Sequence, residues 1–214
     1  MQQILDFFVR AEKLKATLRA SWTSDSSRSE SVADHSWMSC LLAMTLFEKI
    51  SVPLDRERVL KMIILHDLAE AVTGDIPLID QQGSFNHEEK SLNERKAMDH
   101  ILEPLPESTK QEFLELWQEC EERTTLEGKF AKAIDYLEAC LQYWTMDMDK
   151  WVEQDFNIAA YYRDERYQFD AFLKEFKAFV NEKTMEKILA SGREAFLAPE
   201  LLEKYRKSQS TTIE

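Results

Sequence analysis

Glycine and proline are scarce in this chain, 4 and 5 among 214 residues, against average usage of about 7% and 5%. Folds joined by many tight turns draw on both residues, so the shortage argues against such an architecture and favours long helices. Cysteine is nearly absent as well. Cys40, Cys120 and Cys140 are odd in number, widely spaced and form no C-x-x-C pair, which excludes a thiolate zinc knuckle and suggests a reducing compartment. No stretch approaches the ~20 consecutive apolar residues of a membrane span, and the first ten residues lack the basic-then-apolar order of a secretory leader. A cytoplasmic protein is expected. Positive charge is also short: 27 Lys and Arg face 40 Asp and Glu, a formal charge of −13. Such a surface repels nucleic-acid polymers and anionic membranes, and any anionic small molecule needs a local positive centre.

What is present is apolar spacing of three and four almost throughout, without repeat or linker. It predicts a single all-α domain over residues 1–206, followed by a frayed tail over 207–214. Ile4, Leu5, Phe8, Val9, Leu14 and Leu18 trace one face of a first helix, and the polar run from Ser24 to Ser29 reads as a loop. Ser31, with Asp34 three residues on, marks a capped start for a helix over about 32–49. Pro53 and Asp55 introduce another over about 56–72, stopped by Gly74 in a left-handed turn. A loop over 75–86 and helices near 87–103, 107–123, 127–149 and 165–190 follow. The aromatic stripe of Phe169, Phe172, Phe176 and Phe179 reads as core or as a homodimer face.

The most informative stretch runs from Leu60 to Asp75. His66 and Asp67 sit at the end of an apolar run that must be buried, with Glu70 one helical turn beyond His66. Burying such groups without partners is costly, and a divalent cation meets that cost, because imidazole and carboxylate are suitable ligands. One helix cannot complete the shell. His35 is the first further candidate, amid Val32, Leu41 and Leu42 on an inward face. Asp135 is the second, at the edge of a face marked by Ala131, Ile134, Leu137 and either Leu141 or Glu138. Taken singly, His66-Asp67 also fits a buried hydrogen-bonded pair, and Asp135 a solvated acid.

The order H…HD…D formed by His35, His66-Asp67 and Asp135 resembles the metal motif of the HD-domain phosphohydrolase superfamily. The phrases Glu30-Ser31-Val32-Ala33-Asp34-His35, His66-Asp67-Leu68-Ala69-Glu70 with Gly74-Asp75-Ile76, and Leu116-Trp117-Gln118-Glu119-Cys120-Glu121 resemble more narrowly the HD-domain 5′-deoxynucleotidases, over residues 12 to 145. The resemblance implies an all-α HD-type helical bundle with a C-terminal helical extension. It implies one divalent ion (Mn, Co, Mg, Zn, Fe or Ni) held by His35, His66, Asp67 and Asp135. Glu70 is implied to deprotonate the attacking water and Asp75 to assist the leaving alkoxide, two roles that are interchangeable at this stage. Arg19 would grip phosphate, Trp22 pack on the sugar, and Lys90 add charge near the phosphate. The implied activity is removal of the 5′-phosphate from (deoxy)nucleoside monophosphates. Hydrolysis of nucleoside triphosphates or cyclic phosphodiesters, and a non-catalytic metal-stabilised regulatory module, are the alternatives. The expected partner is thus a small nucleotide, with no polymer or membrane. Two positions depart from the pattern: Ser21 stands where glycine is usual before the tryptophan, and Gly128 where alanine is usual. Residues 150–214 resemble nothing assigned.

Overall fold

Short polar side chains that take up free N–H groups open most of the long helices. The computed structural model describes residues 1–77, 80–81 and 85–211. α1 (Gln2–Ala11) and one 3₁₀ turn lead into an antiparallel hairpin of β1 (Leu18–Trp22) and β2 (Ser29–Ser31). α2 (Val32–Leu46) opens on the expected box: Ser31 Oγ accepts from Asp34 N at 3.1 Å, and Asp34 Oδ2 accepts from Ser31 N at 2.9 Å. α3 (Arg56–Leu65) is capped by Asp55, and α4 (Glu70–Thr73) is a single turn. α5 (His87–Leu102) begins at Asn86, α6 (Glu107–Glu122) after Pro106, and α7 (Leu126–Thr145) at Thr125. α8 (Asp155–Ile158), α9 (Ala171–Ala190), capped by Asp170, and α10 (Pro199–Thr211) complete the described chain. The helical class is the expected one.

Four local expectations are corrected. The first helix does not reach Leu18; Leu18 to Trp22 pair instead with Ser29 to Ser31. Their turn is held by Asp25 Oδ1, which accepts from Thr23 Oγ1 and from Ser27 N and Oγ. β1 alternates, with Leu18, Ala20 and Trp22 set against Arg19 and Ser21, but over only five residues and with the polar side turned in, since Ser21 is buried and Leu18 is 60% exposed. The pattern therefore points to the wrong face, and no short hairpin turn follows it. On α1 the apolar face is not the buried one: Ile4 is 66% and Phe8 58% exposed, while Phe7 packs 6.4 Å from Phe113. The helix over 56–72 breaks at the histidine. Leu68 N bonds to Leu65 O and Glu70 N to Asp67 O, three-residue steps that tighten the chain between α3 and α4. The carbonyl of His66 accepts Trp117 Nε1 at 3.1 Å. Gly74 ends α4 with φ +75° and ψ 161°, an extended mirror conformation reserved for glycine rather than the expected left-handed turn. Of the expected frayed tail, residues up to Thr211 continue α10, and 212–214 lie outside the described residues. So do 78, 79 and 82–84 of the expected loop over 75–86.

The packing is organised around α7. Phe130, Ala131, Ile134, Leu137 and Cys140 are buried among Val32 and Ala43 of α2, Met62 and Ile63 of α3, Leu116 and Cys120 of α6, and Leu173 and Val180 of α9. A second apolar cluster continues along the C-terminal ends of α7 and α9, joining Tyr143 and Met146 to Trp151, Phe156, Met185 and Ile188. The long helices α7 and α9 therefore tie residues beyond 146 to the rest. Of the aromatic stripe read as core or dimer face, Phe169, Phe172 and Phe176 pack on the first cluster and Phe179 is exposed. Leu41, expected inward, is exposed as well.

Gly128 is explained by the corner between α6 and α7. Arg123 ends α6 with φ +56°, and Thr125 Oγ1 accepts from Gly128 N at 3.1 Å, which folds α7 tightly back. A Cβ on Gly128 would lie 2.6 Å from the carbonyl oxygen of Glu119. Helix propensity favours alanine by roughly 0.5–1 kcal/mol, but forcing a methyl against backbone costs about 1–3 kcal/mol. Gly128→Ala is therefore expected to lose stability, by about 1–2 kcal/mol in urea unfolding; an increase would refute the close approach.

Candidate metal centre and substrate cavity

The break after α3 turns His66 and Asp67 out of the helical ladder toward α2 and α7, where His35 and Asp135 stand. His35 Nε2 lies 3.2 Å from Asp135 Oδ1 and 3.7 Å from Asp67 Oδ2. His66 Nε2 lies 3.0 Å from Asp67 Oδ2 and 3.7 Å from Asp135 Oδ1. One donor atom from each of the four falls within 4.8 Å of every other. Ligands about 2.0–2.2 Å from a first-row ion stand roughly 3–4 Å from one another, which is the spacing found. His66 Nε2 is buried and makes no aligned hydrogen bond among the described residues, as a ring awaiting a ligand would. The donor set thus fits a divalent cation.

Each donor is aimed by a contact on its far side. His35 Nδ1 meets Glu138 Oε2 at 2.5 Å, and His66 Nδ1 meets the carbonyl of Ile63 at 2.6 Å. Both Nε2 atoms are thereby left facing the centre, the usual arrangement for ligating histidines. Lys132 Nζ pairs with Asp135 Oδ2 at 2.8 Å, leaving Oδ1 to the histidines. Glu138 is one turn beyond Asp135 and almost wholly buried. The sequence marked it as a possible inward residue but gave no sign that its partner was His35, 103 positions away.

The electrostatics say what the cluster lacks. Asp67, Asp135, Glu30, Glu138, Glu70 and Asp75 gather against only two permanent cations, Arg19 and Lys132. Burial and Arg19 oppose charge on the His35 ring, yet Glu138 and Asp135 outweigh them and push it up to about 9. The His66 ring goes the same way against its own burial, drawn by Asp67 and Asp135. Asp135, against burial, is held low by Lys132 and the two rings. Burial, then Asp67 and Asp75, push Glu70 up to about 10, and its Oε2 has no hydrogen-bond partner among the described residues. Burial raises Asp75 too, with Arg19 pulling the other way. Positive charge is what this arrangement accommodates.

Arg19, Trp22, Asp67, Glu70, Asp75, Lys90 and Asp135 line a single cavity of about 520 Å³, with His35 and His66 behind its wall. Every residue singled out from the sequence is thus at this place. The hairpin, invisible in the sequence, is what delivers Arg19 and Trp22. Arg19 Nε stands 3.3 Å from Glu30 Oε2 and its Nη1 3.8 Å from Asp67 Oδ2. Ser21 Oγ donates to Glu30 at 2.8 Å, so the serine found in place of glycine supports the carboxylate that holds Arg19. Lys90, at the start of α5, is paired with Glu94. Lys150 Nζ lies 4.0 Å over the Trp22 ring, a contact the sequence did not suggest. No helix among the described residues is long and apolar enough to cross a membrane.

Comparison with known proteins agrees with this geometry. The HD domain family matches residues 11–188. The 5′-deoxynucleotidase HDDC2 of Homo sapiens is 34% identical over 142 residues, covering 66% of this chain and 67% of that protein; its Xenopus laevis counterpart is 33% identical, covering 66% and 68%. A crystal structure from Magnetospirillum magnetotacticum MS-1, described as a predicted metal-dependent phosphohydrolase, superposes with a TM-score of 0.75 at 28% identity, covering 92% of this chain and 95% of that one. The chain belongs to the HD domain family of metal-dependent phosphohydrolases.

Proposed function

We propose that the chain removes the 5′-phosphate of nucleoside monophosphates, with 2′-deoxynucleotides preferred. The observation that carries this reading is one cavity lined by Arg19, Asp67 and Asp135, with His35 and His66 converging on those two carboxylates from behind its wall. Relatives named 5′-deoxynucleotidase support the substrate class. A divalent ion held by His35, His66, Asp67 and Asp135 would polarise a phosphate oxygen and acidify water.

The remaining steps belong to side chains. Arg19, pinned by Glu30, offers its guanidinium to the phosphate in a net-acidic protein, and a fixed fork suits that anion. Glu70 lines the cavity with one carboxylate oxygen that has no partner among the described residues. Beside a divalent ion its ionised form would be favoured, and that form accepts the proton of the attacking water. The water oxygen forms the new P–O bond as the bond to the 5′ oxygen breaks, and Asp75, whose protonated form burial favours, gives a proton to that leaving alkoxide. Nucleoside and inorganic phosphate result. Trp22 walls the sugar, and Lys90 adds charge near the phosphate. A purely structural site needs ligands only, so the two further acids favour catalysis over the regulatory-module alternative.

Phosphate release from deoxy- and ribonucleotide mono-, di- and triphosphates and cyclic dinucleotides, together with metal analysis, tests the reading; turnover confined to triphosphates or cyclic diesters would overturn it. Asp67→Ala is expected to lose both bound metal and activity. Glu70→Gln is expected to keep the metal while kcat falls about 10²–10⁴-fold, and full turnover would remove its assigned role. Glu138→Ala frees the His35 ring and is expected to weaken Mn²⁺ or Co²⁺ binding about 10–100-fold by titration calorimetry. Glu138→Gln, which keeps an acceptor, should lose less.

A further inference from the structure

The cavity lining carries two arginines that the reaction above does not use. Arg163 and Arg166 line the same cavity from the segment after α8. Their nearest carboxylate among the described residues is Glu165, at 4.0 and 3.7 Å, too far for a hydrogen bond. Arg166 Nε is buried with no hydrogen-bond partner. In the same cavity Lys90 is paired with Glu94 and Lys132 with Asp135 and Glu121. Arg19 stands 3.3 Å from Glu30, although its Nε too makes no hydrogen bond among the described residues. Arg166 lies 5.8 Å from the Tyr136 ring, whose centroid is 5.7 Å from Lys132 Nζ. One tyrosine ring therefore separates the arginine from the lysine that touches Asp135.

This display is held in place at a cost. Tyr161 and Arg163 have φ of +63° and +54°, left-handed values that are unfavourable for bulky side chains. Asp164, the acid best placed to neutralise its neighbours, is turned away: it accepts from Lys177 Nζ at 3.1 Å, Asn181 Nδ2 at 3.0 Å and Lys204 Nζ at 2.7 Å. Asn181 Oδ1 in turn accepts from Tyr161 N at 3.0 Å, and Lys177 and Asn181 are buried. This polar network thus fixes strained backbone so that two guanidinium groups line the cavity and share one acid, Glu165, at distances too long for a hydrogen bond.

From this we propose that Arg163 and Arg166 form a second phosphoryl subsite, so that the favoured substrate is a nucleotide carrying a second phosphoryl group besides the one cleaved. The inference rests on the phosphohydrolase reading and extends its substrate class from plain monophosphates to nucleotides with two phosphoryl groups. A guanidinium pair suits a phosphate better than it suits a base or sugar. Water adds to the scissile phosphorus as its bond to the 5′ oxygen or, in a diphosphate, to the bridging anhydride oxygen breaks. The leaving 5′ oxygen takes up a proton, whereas the phosphate released from a diphosphate can leave ionised, and the second phosphoryl group stays on the nucleoside or nucleotide product.

The test compares kcat/KM for a deoxynucleoside 5′-monophosphate with that for its 3′,5′-bisphosphate and its 5′-diphosphate, in the metal-loaded full chain and in Arg163→Gln/Arg166→Gln. These two substrates distinguish where the second group is attached. The wild type is expected to favour one of them about tenfold, and the double variant to lose that preference, about 1.4 kcal/mol of discrimination. The ratio does not depend on the fraction of folded enzyme. Equal kcat/KM in the wild type, or a preference that survives the double substitution, overturns the subsite. If no nucleotide is hydrolysed, the phosphohydrolase reading fails separately, and titration calorimetry with the bisphosphate and the diphosphate decides the subsite. Binding of either weakened about tenfold in the double variant supports it, and equal binding of both overturns it.

Discussion

Too many carboxylates meet at one buried place, and most of the molecule is arranged around that excess. Asp67 and Asp135 converge on two imidazoles, with Glu138, Glu30, Glu70 and Asp75 close behind or beside them. In a low-dielectric interior such a group of acids is unfavourable without positive charge. Without an ion, Arg19, Lys132 and protons on the two rings offset their charge. A divalent cation would displace the ring protons and take their place, and in doing so would create the polarising centre that phosphate chemistry requires. The same imbalance that is costly to fold is what makes the site useful.

Three features of the fold keep the arrangement in register. α7 passes through both apolar clusters and presents Asp135, Glu138 and Lys132 from one rigid helix. The lapse of helical hydrogen bonding after Leu65 turns His66 and Asp67 inward, with Trp117 taking up the released carbonyl. The hairpin lays Arg19 across the opening, pinned by Glu30, which Ser21 supports. Each device is local, yet none orients its residue without partners remote in sequence.

The C-terminal third completes the cavity rather than merely extending the bundle. Lys150 lies over Trp22, and Arg163 and Arg166 join the lining from strained backbone locked by Lys177, Asp164 and Asn181. The four candidate metal donors thus come from α2, the turn after α3, and α7, whereas the C-terminal arginines of the cavity come from a segment that packs against α9.

The sequence by itself determined the helical class and the cap at Ser31, because scarcity of turn residues, apolar periodicity and the Ser31/Asp34 spacing are local signals. The order of His35, His66-Asp67 and Asp135 named the four candidate donors that the structure brings together. The sequence left the hairpin unrecognised, since the alternation of β1 spans only five residues, no short turn follows it, and Leu18 also continues the apolar spacing of the first helix. It also misplaced the buried face of α1, because two sides of that helix are apolar and only contact with Phe113 chooses between them. The helix break at His66 was hidden for a similar reason: residues 66 to 70 suit a helix, and tertiary hydrogen bonds outweigh that propensity. Which carboxylate backs which histidine, and which arginines meet in the cavity, are pairings across a hundred residues or between separate walls. Only packing around α7 decided them.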